Sequence, residues 1–310
     1  MLENSWFKKE KPLLGLTGLG GGVGSNLLAG GGGYVLPSYL TNTDDLVYYI
    51  DMHTSESYPG SGTAITDLSG ASENYATTIH GTEDTHWYYL NSDNESSNPA
   101  WGRVGEDSEG GFVDDGYIRT TNTGSSNLKF GTSSFTVEMW VRPHSGTDFY
   151  TVFNSNNDAT NNDRQSDNQK PYFYMYFIGR DTSSSHDGEA RAYIRHYPSG
   201  TESLNMYSNY SWSGYSYGSD QWGNWNHLVL TRSGSTFKLY VNSNLRETET
   251  STGTIDFNGD DYCVSLMDDG RTTSPDGFGR FGAARIYKGT ALSSSDISAH
   301  WDGEKAAYGH

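Results

Sequence analysis

The sequence predicts an all-β fold, a two-sheet antiparallel sandwich carried on a glycine-rich N-terminal arm. Strand-like runs with a period of two recur from residue 44 onward between spacers of Ser, Asn, Asp and Gly, and helical periodicity is almost absent. The 310 residues include 23 Tyr, 12 Phe and 8 Trp, so aromatic side chains can build a core although only 34% of the residues are apolar. A different composition sets residues 1–43 apart and leaves 44–310 as one domain.

The N-terminal arm, residues 1–43, combines glycine runs with large apolar side chains. Glycine at 20–22 and 30–33 disfavours the interior of a helix or strand. A mere spacer has no need of large apolar residues, so we expect the arm to become ordered on a partner subunit. The residues expected to anchor it are Trp6, Phe7, Leu13, Leu14, Leu16 and Leu19.

The predicted strands each have one apolar and one polar-aromatic face. In the run 135–142, Val137 and its alternate neighbours face one side, while Glu138 and Trp140 face the other. The runs 172–177 and 237–242 alternate in the same way. Loops are predicted at 91–99, 154–170, 181–189 and 199–221, and one short helix at 293–300, capped by Ser293.

Charge and cysteine content exclude several classes of partner. The formal net charge of −18 opposes binding to nucleic acid or to an acidic membrane, and no segment is predicted to span a membrane. Cys263 is the only cysteine, so an internal disulfide or a Cys-x-x-Cys metal site is impossible within the chain.

Several segments resemble concanavalin A-like, laminin G-like jelly rolls. The segments WNHLVLTR at 225–232 and FKLYVN at 237–242 are similar to the central strands of that family, and FGAARIYKGTALS at 281–293 is similar to its closing strand and terminal helix. The opening, at 46–51, 57–63 and 67–70, resembles laminin G-like domains of phage virion proteins. The resemblance extends over 44–302 and implies a two-sheet jelly-roll sandwich.

The arm has a resemblance of its own. WFKKEKPLLGLTGLGGG at 6–22 is similar to the leaders of virion proteins from tailed phages of marine bacteria. This implies a virion structural protein, on the head as decoration or on the tail or fibre, anchored to other virion proteins by its arm and displaying a lectin-like jelly roll to host-surface glycans. It further implies many copies on the particle or a homo-oligomer, made in the host cytoplasm without a signal peptide. The alternatives are a stand-alone carbohydrate-binding module and, with less support, a glycoside hydrolase.

The sequence favours a protein that is not an enzyme. Jelly-roll enzymes that cut glucans resemble one another in a Glu-x-Asp-x-(x)-Glu strand, which places two carboxylates at the scissile bond. The acidic clusters at 106–109, 247–249 and 268–269 lack this spacing, and Glu138 has no acidic neighbour two residues away. Carboxylates contributed by separate strands remain an alternative.

Aromatic residues that alternate with small polar ones predict a glycan-binding segment at 207–217. The apolar face of a sugar stacks on aromatic rings, and its hydroxyls bind polar neighbours. The same rings could instead pack against a neighbouring loop or subunit. The same ambiguity extends to two further sets of alternating residues, namely Tyr172, Tyr174 and Tyr176, and Arg191, Tyr193, Arg195 and Tyr197. The expected binding residues are Tyr207, Tyr210, Trp212, Tyr215 and Tyr217.

No cofactor is required by the sequence, and calcium is the one ion for which it offers ligands. Calcium takes oxygen ligands from Asp-rich loops, and laminin G-like domains often carry such an ion at the rim. Asp67 alternatively closes a turn through its own backbone bonds. The candidate ligands are Asp51, Asp67 and Asp114, followed by Asp115, Asp268, Asp269 and Asp276.

Overall fold

The structure is a computed structural model, and the part of the chain that it describes is almost entirely β. It describes residues 34–71, 76–81, 87–90, 100–103, 117–121, 128, 130–143, 149–156, 172–178, 188–195, 202–211, 224–253, 262–267 and 279–310. The predicted anchor residues of the arm, from Trp6 to Leu19, lie outside this part.

Sixteen strands and one α-helix make up the described regular structure, together with a single 3-10 turn at Thr43–Asp45. The strands are β1 Leu46–Asp51, β2 Ala64–Ile65, β3 Ala76–His80, β4 Trp87–Leu90, β5 Ala100–Arg103, β6 Tyr117–Thr121, β7 Phe135–Pro143, β8 Phe149–Asn156, β9 Tyr172–Ile178, β10 Glu189–Arg195, β11 Glu202–Ser211, β12 Asn226–Ser233, β13 Thr236–Val241, β14 Asn244–Thr250, β15 Tyr262–Leu266 and β16 Gly279–Lys288. The helix α1 is Ser294–Glu304.

The strands form two antiparallel sheets. Sheet A has the order β14-β13-β12-β7-β16-β5-β4, with β1 also paired to β16. Sheet B has the order β11-β10-β9-β8-β15-β6-β3-β2. This arrangement confirms the predicted two-sheet antiparallel sandwich.

The main core lies between the two sheets. On β7, Phe135 and Val137 point into it, as the alternation predicted, and the ring of Phe135 stacks on that of Phe130 with centroids 4.4 Å apart. Glu138 and Trp140 point to the other side of sheet A, yet both are completely buried. The outer face of sheet A is therefore also covered at β7.

The prediction of a loop over 199–221 is wrong for residues 202–211, which form β11. Leu204 and Met206 on this strand point into the core and are buried. The alternate positions 203, 205 and 207 carry Ser, Asn and Tyr, so the composition of this segment resembles that of a loop.

The predicted C-terminal helix is confirmed and is one turn longer than expected. Ser293 caps it with a complete capping box, because its hydroxyl accepts the Asp296 N–H at 3.2 Å and the Asp296 carboxylate accepts the Ser293 N–H at 2.9 Å. None of the helical structure in the described residues is long and apolar enough to cross a membrane.

Candidate functional site

The outer face of sheet A is covered by α1 and by residues 34–42, which we call the arm root. Leu40 of the arm root and Ile297 of α1 are buried in one cluster with Tyr49, Val229 and Tyr287 of the sheet. The part of the predicted arm nearest to the domain is thus packed against it.

A buried network of charged side chains joins α1 to sheet A. The carboxylate of Glu138 on β7 lies 2.6 Å from Nε2 of His227 on β12 and 3.1 Å from Nδ1 of His300 on α1. The Arg285 guanidinium on β16 lies 3.4 Å from Glu138 and also pairs with Glu304 at the end of α1. We call these five side chains the α1 network, and none of them is more than 6% exposed.

Aromatic side chains complete the surroundings of Glu304. The Trp140 indole N–H donates to it at 2.6 Å, and the Tyr39 hydroxyl of the arm root donates at 3.0 Å. The Tyr49 ring lies 4.6 Å from the centre of the Arg285 guanidinium. The network therefore ties both the helix and the arm root to the sheet.

Burial and pairing act in opposite directions on the network's charges. Burial alone raises the pKa of Glu138, but its interactions with His300, the charge of Arg285 and the hydrogen bonds from both imidazoles outweigh it and hold that pKa well below its ordinary range. Burial lowers the pKa of Arg285, whereas Glu304, Tyr49 and Glu138 together raise it well above its ordinary value. Both groups are therefore ionised near neutral pH.

The α1 network does not fit a metal ion. Glu138, His227 and Glu304 form the one group of three or more acidic, histidine or cysteine side chains in the described residues whose ligand atoms all lie within 4.8 Å of one another. Arg285 pairs with both carboxylates of this group, so a fixed cation already compensates them.

The two calcium candidates in the described part of the chain serve local structure. Asp67 accepts the backbone N–H groups of Tyr49 and Ser69, each at 2.9 Å, which is the turn-closing role named as its alternative. Asp51 accepts the Tyr49 hydroxyl at 2.9 Å and lies 3.3 Å from Nδ1 of His53. The other candidates, from Asp114 to Asp276, lie outside the described residues.

The α1 network is also unsuited to glycoside hydrolysis. A general acid needs a raised pKa and access to the glycosidic oxygen. Glu138 has a lowered pKa and no exposed surface, and Glu304 is buried beside Arg285. These carboxylates hold the fold together and do not line a cleft.

The outer face of sheet B differs at β9, β10 and β11, where it carries tyrosine, arginine and asparagine side chains. The rings of Tyr174 and Tyr193 stack with centroids 5.3 Å apart on adjacent strands. The Arg191 guanidinium lies 5.0 Å from the Tyr193 ring and 4.8 Å from the Tyr207 ring, and its Nε donates to Asn205. We call these five residues the tyrosine–arginine face. All but Tyr193 are partly exposed.

The structure separates the two predicted glycan-binding residues that it describes. Tyr207 lies on the tyrosine–arginine face, whereas Tyr210 packs against the main core with Arg246 3.9 Å from its ring. Asn209, with a positive φ of 47°, lies within a register shift between β10 and β11 and reverses the alternation. Trp212, Tyr215 and Tyr217 lie outside the described residues, and their binding role stays a prediction.

Asn205 is the member of this face that sequence reasoning missed. It lies opposite Tyr193 in the register of β10 and β11. The sequence predicted a loop over 199–221, and a loop has no strand alternation from which Asn205 could be assigned to the same face as Arg191. The buried pair Leu204 and Met206 is the signal that could have revealed the strand.

A laminin G family model, described as the concanavalin A-like lectin/glucanases superfamily, matches residues 109–298. No curated protein sequence is significantly similar to the chain.

Solved structures with the same fold include bacterial toxin domains. The receptor binding domain of botulinum neurotoxin D matches with a TM-score of 0.55 at 12% identity, covering 84% of this chain and 53% of that one. The binding domain of Paraclostridial mosquitocidal protein 1 matches with a TM-score of 0.51 at 15% identity, covering 84% and 52%. A botulinum neurotoxin serotype D ligand binding domain in complex with N-acetylneuraminic acid matches with a TM-score of 0.54 at 12% identity, covering 84% and 52%. The chain thus spans about half the length of these domains, and the likeness shows the fold.

Proposed function

The chain belongs to the concanavalin A-like lectin/glucanases superfamily, and we propose that it is a lectin-like binding protein rather than an enzyme. Its glycan site is the tyrosine–arginine face of sheet B. At the finer level, we propose a structural protein of a tailed-phage virion, anchored by its arm and presenting this face to host-surface glycans.

The chemistry of the tyrosine–arginine face supports the glycan proposal. Tyr174 and Tyr207 offer partly exposed rings on which the C–H face of a sugar can stack. Arg191 and Asn205 stand beside the rings with polar groups that can bind sugar hydroxyls. The toxin domain crystallised with N-acetylneuraminic acid gives a precedent in a protein of the same fold. This chain spans about half of that domain, so the proposal depends on the chain's own residues.

The observation that carries the proposal is that the arm root and the tyrosine–arginine face lie on opposite sides of the sandwich. Tyr34 packs near Tyr49 on the outer face of sheet A, with ring centroids 6.3 Å apart. Tyr174, Arg191 and Tyr207 lie on the outer face of sheet B. An arm that is held by a particle on the first side leaves the second side directed away from it.

Glycan binding is tested with the full chain and purified host-surface polysaccharide. Tyr207→Ala and Arg191→Ala should each weaken binding about tenfold in isothermal titration calorimetry. The control is Asp302→Ala, which changes an exposed residue on the opposite side of the sandwich and should leave binding unchanged. Equal affinity in all variants would contradict glycan binding by this face and would favour a packing role for its rings.

The virion proposal is tested by sedimenting particles through a density gradient and identifying peptides of the chain by mass spectrometry. A chain that lacks residues 1–33 keeps the packed arm root and should fold, but it should fail to sediment with particles. Loading of the truncated chain would contradict anchoring by the arm. If the full chain stays in the soluble fraction but binds polysaccharide, the stand-alone binding module is the better description.

No cofactor is part of the proposal. Calcium binding through Asp51, Asp67 or Asp114 stays a prediction, and titration of the metal-free chain with calcium chloride checks it. Release of reducing ends from the polysaccharide would contradict the proposed absence of enzymatic activity.

A further inference from the structure

One hydrogen bond between the arm root and α1 fixes the protonation state of a buried histidine. The backbone N–H of Thr41 donates to Nε2 of His300 at 3.0 Å. A backbone N–H is only a donor, so Nε2 must carry a lone pair. The other ring nitrogen, Nδ1, lies 3.1 and 3.2 Å from the two Glu138 oxygens and must donate to them. His300 is therefore neutral, with its proton on Nδ1.

The charged imidazolium form of His300 is incompatible with this hydrogen bond. An imidazolium has an N–H at both ring nitrogens, so its Nε2 would point a donor at the donor of Thr41. The Thr41 hydroxyl, 3.3 Å from Nε2, could accept from the new N–H, but the backbone N–H would lose its acceptor.

Other groups packed around His300 come from four elements. They are Glu138 on β7, His227 on β12, Arg285 and Tyr287 on β16, and Asp296 and Glu304 on α1. Of these, His227 also contacts Glu138, but its hydrogen bonds to Asn242 and Glu138 lie within sheet A. A change of protonation at His300 is thus the one in this network that acts directly on the backbone of the arm root.

We propose that His300 is a pH-sensitive latch whose neutral form holds the arm root on α1 and whose protonation releases it. The latch is closed when the imidazole is neutral and accepts from the Thr41 N–H, and it opens when Nε2 gains a proton and can no longer accept. Its opening would loosen residues 34–42 while sheets A and B stay paired. The inference rests on the buried side of sheet A and is independent of glycan binding on sheet B.

The tautomer is tested by long-range ¹H–¹⁵N correlation spectra of the full chain with ¹⁵N-labelled histidine. The His300 signals are assigned by their absence in His300→Gln. At about pH 8, the spectrum should show a protonated Nδ1 and an unprotonated Nε2. A protonated Nε2 at this pH would overturn the latch. The variant serves only to assign these signals, and the protonation state is read from the unmodified chain.

Release is tested by hydrogen exchange of peptides that cover 34–46, corrected for the intrinsic effect of pH. Between about pH 8 and about pH 5, protection of this segment should fall about tenfold, whereas peptides from 226–241 should keep theirs. His300→Gln retains a side-chain oxygen that can accept from Thr41 at either pH, so its protection should not depend on pH.

Thr41→Val is the matched control for the hydroxyl. It keeps the backbone N–H and should retain the pH dependence of the unmodified chain. Unchanged protection of 34–46 in the unmodified chain, with His300 shown to be protonated at the lower pH, would overturn the proposal.

Discussion

The outer faces of sheets A and B are encoded by similar alternating sequences, but the outward-facing side chains differ in burial. On β7, Glu138 and Trp140 alternate with core residues, just as Tyr174 does on β9. Glu138 and Trp140 are completely buried beneath α1, whereas Tyr174 is partly exposed. The difference lies in the covering segment, since α1 and the arm root pack on sheet A.

This contrast shows that alternating polar and aromatic residues do not by themselves mark a binding surface. On sheet A, the polar residues pair with one another around Arg285 and hold a helix in place. On sheet B, the described residues of the tyrosine–arginine face contact each other along the surface. We therefore expect substitutions on sheet A to lower stability and those on sheet B to change binding.

The largest effect is expected for Arg285→Met, which leaves Glu138 and Glu304 buried without their shared cation. Loss of one partner of a buried ion pair costs about 3–5 kcal/mol. Denaturant unfolding of the variant should show a decrease of this size in the free energy of unfolding. The control is Lys305→Ala, which breaks the exposed Lys305–Asp302 pair and should cost less than about 1 kcal/mol. Similar losses in the two variants would contradict a structural role for the α1 network.

Protonation of Glu138 should lower the free energy of unfolding at acidic pH. Its pKa is held below the ordinary value of 4.5, so its contribution is complete above that pH and is lost as pH falls through the lower, folded-state value. Hydrogen bonds to a charged group contribute about 1.5–3 kcal/mol, which sets the expected loss. Glu138→Gln cannot titrate, so its free energy of unfolding should fall less in acid than that of the unmodified chain. Parallel acid limbs would contradict the lowered pKa.

The sequence predicted the sandwich and α1 because both depend on local patterns. Strand alternation and the Ser293 capping box are visible in a few consecutive residues. The α1 network was not predicted, because its residues are up to 166 positions apart in the sequence, from Glu138 to Glu304. Likewise, Tyr210 was predicted beside Tyr207, since nothing in the composition reveals the reversal of alternation at Asn209.

Close packing of the C-terminal tail on sheet A gives a third test. A Cβ atom at Gly282 on β16 would lie 2.5 Å from Cε1 of the Tyr308 ring, which stacks on Trp140 with centroids 4.0 Å apart. Gly282→Ala should cost about 1–3 kcal/mol, as added methyl groups do in packed cores. In a double-mutant cycle, Tyr308→Ala removes the clash, so Gly282→Ala should cost less in that background. An equal cost in both backgrounds would show that the tail is not the obstacle.

The smallest effect on stability is expected on sheet B, where Tyr174→Ala removes the stacking on Tyr193. Aromatic pairs contribute about 0.5–1.5 kcal/mol beyond their buried area, and Tyr174 is only partly buried. A cycle of Tyr174→Ala, Tyr193→Ala and the double variant isolates this coupling from the loss of each ring. A coupling of that size, together with weakened polysaccharide binding by Tyr174→Ala, would indicate that this face binds polysaccharide and contributes little to stability. A loss of unfolding free energy as large as that of Arg285→Met would show instead that sheet B relies on its outer face for stability as sheet A does.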